Sequence, residues 1–454
     1  MSMPTIHTRC LTPMALALAA LLLSGCASFS KDGGLDSISA MTRERTGQAL
    51  PRAGADNAPE LAALLAQPLS AEAAVRVALM NNRGLKVALA ELGASEADLV
   101  QAGRMRNPGL SFGRMHGGGE SEIERGIMFD LVGLLTLPVR SGIERGRFEQ
   151  AKLQAASQAV KLAADTRRAW FNAVAAQQTA SYMEQAAGAA EAGAELAARM
   201  RRAGNWSKLD QAREQVFYAD ATAQFARARH AATAAREQLT RLLGLWGGQA
   251  AFTLPERLPD LPTAPDDMAD IESLAMQRRL DIQMSKHDAA ASARALGLTR
   301  ATGFVNVLDA GYINKSASGK PRENGYEIAL ELPLFDWGGA RTAKAEALYM
   351  QAVHRSADSA VRARSEVREA YSAYRVAYDL ARHQRDEVVP LRKKISDEVL
   401  LRYNGMLASV FELLSDAREQ IGSVNTAIET QRDFWIAQTE LQSAINGAGA
   451  AAKE

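Results

Sequence analysis

The sequence predicts a mainly α-helical chain with a small β part, built as two copies of one elongated plan with long antiparallel coiled-coil helices and four strands. Three observations lead there. Residues 69–246 and 267–446 pass through the same succession of segments. Each copy contains a helix-forming stretch of about 55–60 residues, far beyond the usual helix of a globular domain. Composition agrees: aromatics are 6% of the chain and there are 14 prolines in 454 residues. Alanine-rich, charge-laced sequence of this kind suits long, closely packed helices better than a bulky core. The repeat is too long for a solenoid unit, so it predicts two pseudo-equivalent lobes.

The N-terminus reads as an export signal over residues 1–25. His7 and Arg9 precede an apolar run from Leu11 to Leu23, too short to span a membrane comfortably. The run ends in Leu23-Ser24-Gly25-Cys26, with Ala27 next. Small residues before a cysteine at the end of such a run predict lipidation at Cys26. Several acyl chains, at about 0.8 kcal/mol per buried CH₂, give a stable anchor. The only other cysteine is Cys10, so no internal disulfide or cysteine metal site is expected.

Residues 26–68 read as a polar, extended N-terminal arm. Ser70 is the expected N-cap of a helix through Met80, broken at Asn81-Asn82-Arg83-Gly84. A second helix from Leu85 to about Met105 stops at Asn107-Pro108-Gly109. Strands are expected at about 108–116 and 123–135, around the loop Gly117 to Glu120. A proline-led corner follows at Leu134 to Gly142. From Arg145 to Met200 the residues Ala169, Ala173, Ala176, Ala180, Met183, Ala187, Ala190, Ala194 and Ala197 form a heptad seam. About 55 residues at 1.5 Å rise make a helix about 80 Å long. It breaks at residues 203–206, and Ser207 caps a return helix to about Leu245.

Gly247-Gly248 and four prolines mark a linker at 247–266. The second copy repeats the plan, with a helix from about Asp267, a break at Leu280-Asp281 and a helix to Leu298. Strands are expected at about 304–313 and 326–332, separated by a loop from Lys315 to Asn324. The corner is Leu332-Pro333-Leu334-Phe335-Asp336-Trp337-Gly338-Gly339-Ala340-Arg341. A long helix follows from Ala340 to Arg402, its seam at Ala363, Val367, Ala370, Tyr374, Ala377 and Ala381, with a kink expected at Pro390. The chain turns at 403–408, returns from about Ser409 to Ile445, and ends in a tail at 447–454. Four strands cannot close a barrel, and an open sheet in lipid leaves its edges unpaired. Three copies would supply twelve strands, an ordinary barrel size.

Against this pattern the chain resembles the TolC-type outer-membrane efflux proteins (outer membrane factors), in their lipoprotein branch, from about Leu69 to Ile445. The resemblance rests on Leu69 to Ala74 with Ala78 to Asn82, on the corner Leu332 to Arg341, and on the two helix turns. These read Arg202-Ala203-Gly204-Asn205-Trp206-Ser207-Lys208-Leu209-Asp210 and Arg402-Tyr403-Asn404-Gly405-Met406-Leu407-Ala408-Ser409-Val410-Phe411-Glu412. Each has a glycine, then a serine, then a carboxylate three positions later, though the second spans one residue more from glycine to carboxylate. Both are followed by Ala-Arg-Glu-Gln, at 212–215 and 417–420, at different distances from their glycines.

The resemblance implies a homotrimer with a twelve-stranded β-barrel in the bacterial outer membrane, standing on an α-helical barrel with a large periplasmic part. It implies passive conduction, fed by a periplasmic adaptor (membrane fusion protein) and an inner-membrane pump. The tips at Gly204, Ser207, Asp210, Gly405 and Ser409 would dock the adaptor. Glu412 falls where the family has an acidic residue at the closed opening; Asp416 lies near the second, where strict counting reaches Ser415. Three copies of a carboxylate around an axis repel one another and attract cations, as a gate requires.

Other functions find little support. With 53 basic and 52 acidic residues, nucleic acid is not an expected partner. The six histidines include no i, i+4 pair of the helical metal-site type, and no phosphate loop or nucleophile motif stands out, so neither catalysis nor a cofactor is expected. Trp337 and Phe335 suit a lipid headgroup level or internal packing. The remaining alternatives are the outer-membrane duct of a type I protein secretion system, or a non-conducting structural coiled-coil lipoprotein. The transported substrate is not encoded in these motifs.

Overall fold

A computed structural model describes residues 28–52, 57–117, 120–303, 307–331 and 334–447. The lipidation candidate Cys26, the glycines 118 and 119, and Leu332-Pro333 of the second corner lie outside the described residues. The expected N-terminal arm contains two helices, α1 (Leu35–Thr46) and α2 (Ala58–Leu65). Pro59 sits in the first turn of α2, where its missing N–H costs nothing. These short helices were overlooked because a polar run with glycine and proline hides their few apolar contacts.

The first repeat contains α3 (Ala71–Asn81), α4 (Arg83–Ala102), β1 (Gly109–Gly117), β2 (Glu120–Asp130), α5 (Leu131–Arg202) and α6 (Lys208–Leu243). Ser70 caps α3, its hydroxyl accepting from the Ala73 N–H at 3.1 Å. The second repeat contains α7 (Ile271–Arg278), α8 (Leu280–Ala301), β3 (Leu308–Ala317), β4 (Glu323–Leu330), α9 (Gly339–His383), α10 (Val389–Asn404) and α11 (Val410–Asn446). A π-helical turn at Gln384–Val388 joins α9 to α10.

Three expectations need correction. The second strand ends at Asp130, not 135, and the first corner does not exist: Leu134 to Gly142 is helical, with Pro138 inside the 72-residue α5. Asp130 starts that helix by accepting from the Gly133 N–H at 2.6 Å. The third strand runs to Ala317, four residues further than expected, and the fourth begins three earlier, so the loop between them shortens to 318–322; residues 304–306 of the expected third strand lie outside the described residues. Cross-strand pairing, from Leu308↔Leu330 to Lys315↔Glu323, set these limits, and polar Lys315 and Asn324 concealed them. The buried stripe on α5 runs Met183, Ala186, Ala190, Gly193, Ala197, while the expected Ala187 and Ala194 are half-buried. With alanine at nearly every position, the sequence left the centre of the stripe ambiguous by one residue.

Pro390 does interrupt its helix. The π turn just before it lets Val389 N–H reach Gln384 carbonyl, so the chain takes up the bond pattern that the proline ring would otherwise break.

The chain divides into two compact units that each draw on both repeats. One comprises Leu89–Gln154 and Gln283–Asp358 with residues 28–34. Its centre is a four-stranded antiparallel sheet in the order β1-β2-β3-β4. The pairings Leu110↔Ile127, Ile127↔Tyr312 and Tyr312↔Tyr326 place one row of large apolar residues on one face. Alternation adds Phe112, Phe129 and Ile328 to that face. The opposite face carries Ser111, Glu122, Glu124, Lys315, Glu323 and Glu327 among glycines, with Lys315 3.3 Å from Glu124. The apolar face is bare in the single chain: Leu110 is 83% exposed and Tyr326 91%. Strands β1 and β4 each pair on one side alone.

The other unit comprises Leu35–Ala88, Ala155–Ile282 and Ser359–Glu454. Its core gathers Tyr374, Tyr378, Phe434, Leu441 and Ile445 around Leu261 and Ile271. Trp170 meets Phe171 edge-on, and Phe171 stacks on Trp435. The linker is pinned against these helices. Tyr378 donates its hydroxyl proton to the carbonyl of Thr263 at 2.9 Å, and Trp435 Nε1 donates to Pro259 at 3.1 Å. The duplication survives in detail here. Asn81 Nδ2 donates to the Gly244 carbonyl at the end of α6, and Arg279 Nη1 donates to the Ala444 carbonyl near the end of α11. Each return helix ends on a left-handed glycine, Gly244 or Gly447.

Candidate functional site: the helix turns and the carboxylates above them

Both helix turns are built in the same way. In the first, Asn205 N–H bonds the Met200 carbonyl at 3.0 Å, six residues closing a Schellman motif; in the second, Leu407 N–H bonds Arg402 at 2.7 Å. Ser207 then caps α6, its Oγ accepting from Asp210 N–H at 3.1 Å, and Ser409 caps α11 through Glu412 N–H at 3.1 Å. The Ser207 hydroxyl also donates to Asp210 Oδ2 at 2.7 Å. The serine at each cap satisfies a donor that the helix start leaves free, and the negative charge three residues on suits the positive end of the helix.

The equivalence also settles the register. A Schellman turn needs one left-handed residue, which Gly204 supplies at φ +81°. In the second turn Gly405 does not: its φ is −77°, and Met406 takes the left-handed position at φ +60°. The same spacing separates Gly204 from Met406, Ser207 from Ser409 and Asp210 from Glu412. The second turn is therefore not lengthened; its glycine has moved one position upstream. Counting from the glycines misled the sequence alignment, and counting from the serine caps restores it.

On that register Glu412 is equivalent to Asp210, and Asp416 to Glu214. Glu412 is exposed beside its cap, whereas Asp416, one turn further along α11, is buried. Glu214 is 1% exposed and is bound by Arg418, whose Nη2 lies 2.6 Å from its Oε1. The Arg418 guanidinium sits 4.3 Å over the Phe217 ring. Glycine at position 193 makes room, since a Cβ there would lie 3.3 Å from Leu414 Cδ2 and 3.9 Å from Glu214 Oε2. Helices α5, α6 and α11 thus meet around one ion pair that joins the two hairpins. The sequence reading missed it, although both partners belong to the repeated Ala-Arg-Glu-Gln. The structure pairs the glutamate of one copy with the arginine of the other.

Among the described residues no three His, Cys, Asp or Glu side chains come together as metal ligands, and no helix is long and apolar enough to cross a membrane. Neither protein-family models nor curated protein sequences match the chain. Solved structures do. A membrane protein from Pseudomonas aeruginosa superposes with a TM-score of 0.71 at 21% identity, covering 83% of this chain and 93% of that one. The CmeC outer membrane channel of Campylobacter jejuni gives 0.73 at 14% identity over 85% and 87%. The chain has the TolC-type channel fold. The outer-membrane channel OprN gives 0.70 at 18% identity, over 94% of this chain and 95% of that one. The TolC-type fold accounts for the duplicated helix hairpins and for strands contributed in pairs by each repeat.

Proposed function

We propose that this TolC-type chain is the outer-membrane channel component of a tripartite efflux system, passively conducting substrate received from a periplasmic adaptor and an inner-membrane pump. One observation carries the reading: a four-stranded sheet with an exposed apolar face and both edges unpaired. A bare apolar face of this size calls for lipid or a partner, and unpaired edges in lipid call for closure. Further copies of the same sheet supply both. A homotrimer closes twelve strands, turning the side rich in glycine and glutamate towards a wet lumen.

In this reading Cys26 is acylated and holds the chain to the outer membrane. Gly204, Ser207, Asp210, Gly405 and Ser409 form the periplasmic docking tips, and Glu412 and Asp416 line the gate. No residue needs to perform catalysis, because the pump supplies the energy. The test is single-channel recording from the purified, acylated protein in planar bilayers, together with its oligomeric state in detergent. A conducting trimer is expected. A monomer without conductance would overturn the reading and leave a structural coiled-coil lipoprotein. Mass spectrometry of the mature N-terminus checks Cys26, where an unmodified residue removes the anchor.

A further inference from the structure

Charge is sorted between the two faces of the sheet. Alternation from the paired residues puts Arg114 and His116 of β1 and Arg125 of β2 on the face of Leu110, Ile127, Tyr312 and Tyr326. Every carboxylate of the four strands lies on the other face, Glu122, Glu124, Glu323 and Glu327 among them. The one strand cation on that other face, Lys315, meets Glu124 at 3.3 Å. Both arginines are exposed. Height along the strands is ordered too. On the apolar face the pairs run from Leu308↔Leu330 through Tyr312↔Tyr326 to a row made of Phe112, Arg125, Asn314 and Asn324, then to Arg114, Ile123 and Ser316. From Leu308 to Asn314 is about 20 Å of strand, at about 3.4 Å per residue. The arginines thus stand at the end of the apolar band away from the helices, beyond the rings of Tyr312 and Tyr326, whose centroids are 6.5 Å apart. Arg125 Nη1 donates to Asn314 Oδ1 at 3.5 Å, and Asn314 Nδ2 to Asn324 Oδ1 at 2.7 Å, which ties the row across three strands.

We infer that Arg114 and Arg125 form a phosphate-binding site on the lipid-facing side of the sheet, for the phosphorylated glycolipid (lipopolysaccharide) of the outer leaflet. Its acyl chains would cover the apolar rows between the arginines and the helices. This rests on the channel reading above, which puts that face in lipid and the helices in the periplasm. Two like charges at the border of an apolar face are costly unless anions or water meet them there. Arg114 stands opposite Ile123 and is therefore a diagonal neighbour of Arg125, about 7–8 Å away along the sheet. At that separation two guanidinium forks can clasp one phosphate, or two phosphates on one sugar core. A phosphomonoester carries about −1.5 to −2 charges at neutral pH, so it is favoured over the single charge of a phospholipid phosphodiester. The absence of carboxylates from this face leaves nothing to neutralise the arginines or repel the phosphate. Tyr312 and Tyr326, one row nearer the helices, suit the border between sugar and acyl chain.

The test measures lipid retained by the purified full-length acylated chain in detergent, by native mass spectrometry. The probes are bisphosphorylated lipid A, the same lipid with its phosphates removed, and phosphatidylglycerol. Retention of the bisphosphorylated form is expected to be at least about tenfold above either of the others. Arg114→Gln with Arg125→Gln should lower it about tenfold, and Arg114→Lys with Arg125→Lys, which keeps the charge but not the fork, should lower it less. Glu323→Gln with Glu327→Gln, on the other face, should leave it unchanged. Should the glutamine variant fail to assemble, salt supplies the second reading on wild type: retention of the phosphorylated lipid falls as salt rises, and that of the dephosphorylated lipid does not. Equal retention with and without phosphates, or no effect of the glutamine pair, overturns the inference. Phosphatidylglycerol held as well as lipid A also overturns it, because the arginines would then serve ordinary phospholipid. Bilayer recordings on the same wild-type preparation separate the two readings: conduction without phosphate discrimination sinks this inference alone, while absence of conduction sinks the channel on which it rests.

Discussion

Single residues fix contacts whose removal has calculable consequences. A Cβ at Gly244 would lie 2.8 Å from the Asn81 carbonyl oxygen, on a backbone already at φ +67°. Gly244→Ala is expected to cost about 2 kcal/mol or more, read as a lower unfolding midpoint in denaturant. Arg418→Ala leaves the Glu214 carboxylate buried without its cation and should cost about 3 kcal/mol, whereas the double variant with Glu214→Gln should recover much of that loss. Equal destabilisation by the single and double variants would remove the ion pair from the account. Arg76 donates to Glu60 at 2.7 Å, and this hydrogen bond holds the carboxyl below its ordinary range. A carboxyl depressed on folding stabilises the fold above its unfolded pKa, and that contribution fades as pH falls through the folded value. Comparing wild type with Glu60→Gln by thermal unfolding should therefore show a small advantage for wild type at neutral pH that vanishes in acid. The effect is modest because the pair is largely solvated.

At the scale of elements, the helix starts are the most transferable feature. Ser207 and Ser409 each satisfy a free helix donor with the same geometry. Ser207→Ala and Ser409→Ala should each lower stability by about 1 kcal/mol, additively, since the caps share no partner. A deficit well beyond the sum, measured by denaturant unfolding, would mean that the two tips are coupled. The strand limits were less legible than the caps. Serine three residues before a carboxylate is a local signal, whereas Asp130 ends a strand because it starts a helix, and nothing in Leu131 to Val139 marks that change of period. Proline at position 138 suggested a corner, yet it lies near the start of a very long helix. At Pro390, where a kink was expected, a π-helical turn at Gln384–Val388 precedes the proline and takes up the bond that its missing N–H removes.

For the whole molecule, the duplication carries an asymmetry that function would exploit. In the proposed trimer three copies of Glu412 and Asp416 approach one axis and raise the cost of closing it. Replacing both with alanine is expected to raise single-channel conductance and weaken block by divalent cations; an unchanged cation response would move the gate elsewhere. Glu412 is exposed and Asp416 buried in the single chain, so Glu412→Ala alone should account for most of the change in block. The first repeat carries the matching pair Asp210 and Glu214, where Arg213 lies 3.6 Å from Asp210 at the surface and Arg418 2.6 Å from the buried Glu214. Among the described residues, no arginine lies within ion-pair distance of Glu412 or Asp416 in the single chain. That division, more than the glycine count of the turns, favours the second copy as the gate.

The sequence by itself determined the class of this protein: a duplicated, alanine-rich chain with four strands, serine-capped hairpins and breaks at matched places. These follow from local rules of periodicity, capping and turn chemistry, which act within a few residues and leave their marks in the text. Only the tertiary structure decided what depends on distant neighbours. Strand limits were set by cross-strand partners about two hundred residues away, as with Ile127 and Tyr312. The centre of the alanine seam was set by which helix lay opposite Gly193. The pairing of Glu214 with Arg418, and the transfer of the left-handed position from Gly405 to Met406, could not be read along the chain. Each reflects a contact whose energy is settled by packing, where several sequence registers are locally equivalent and one alone fills the space.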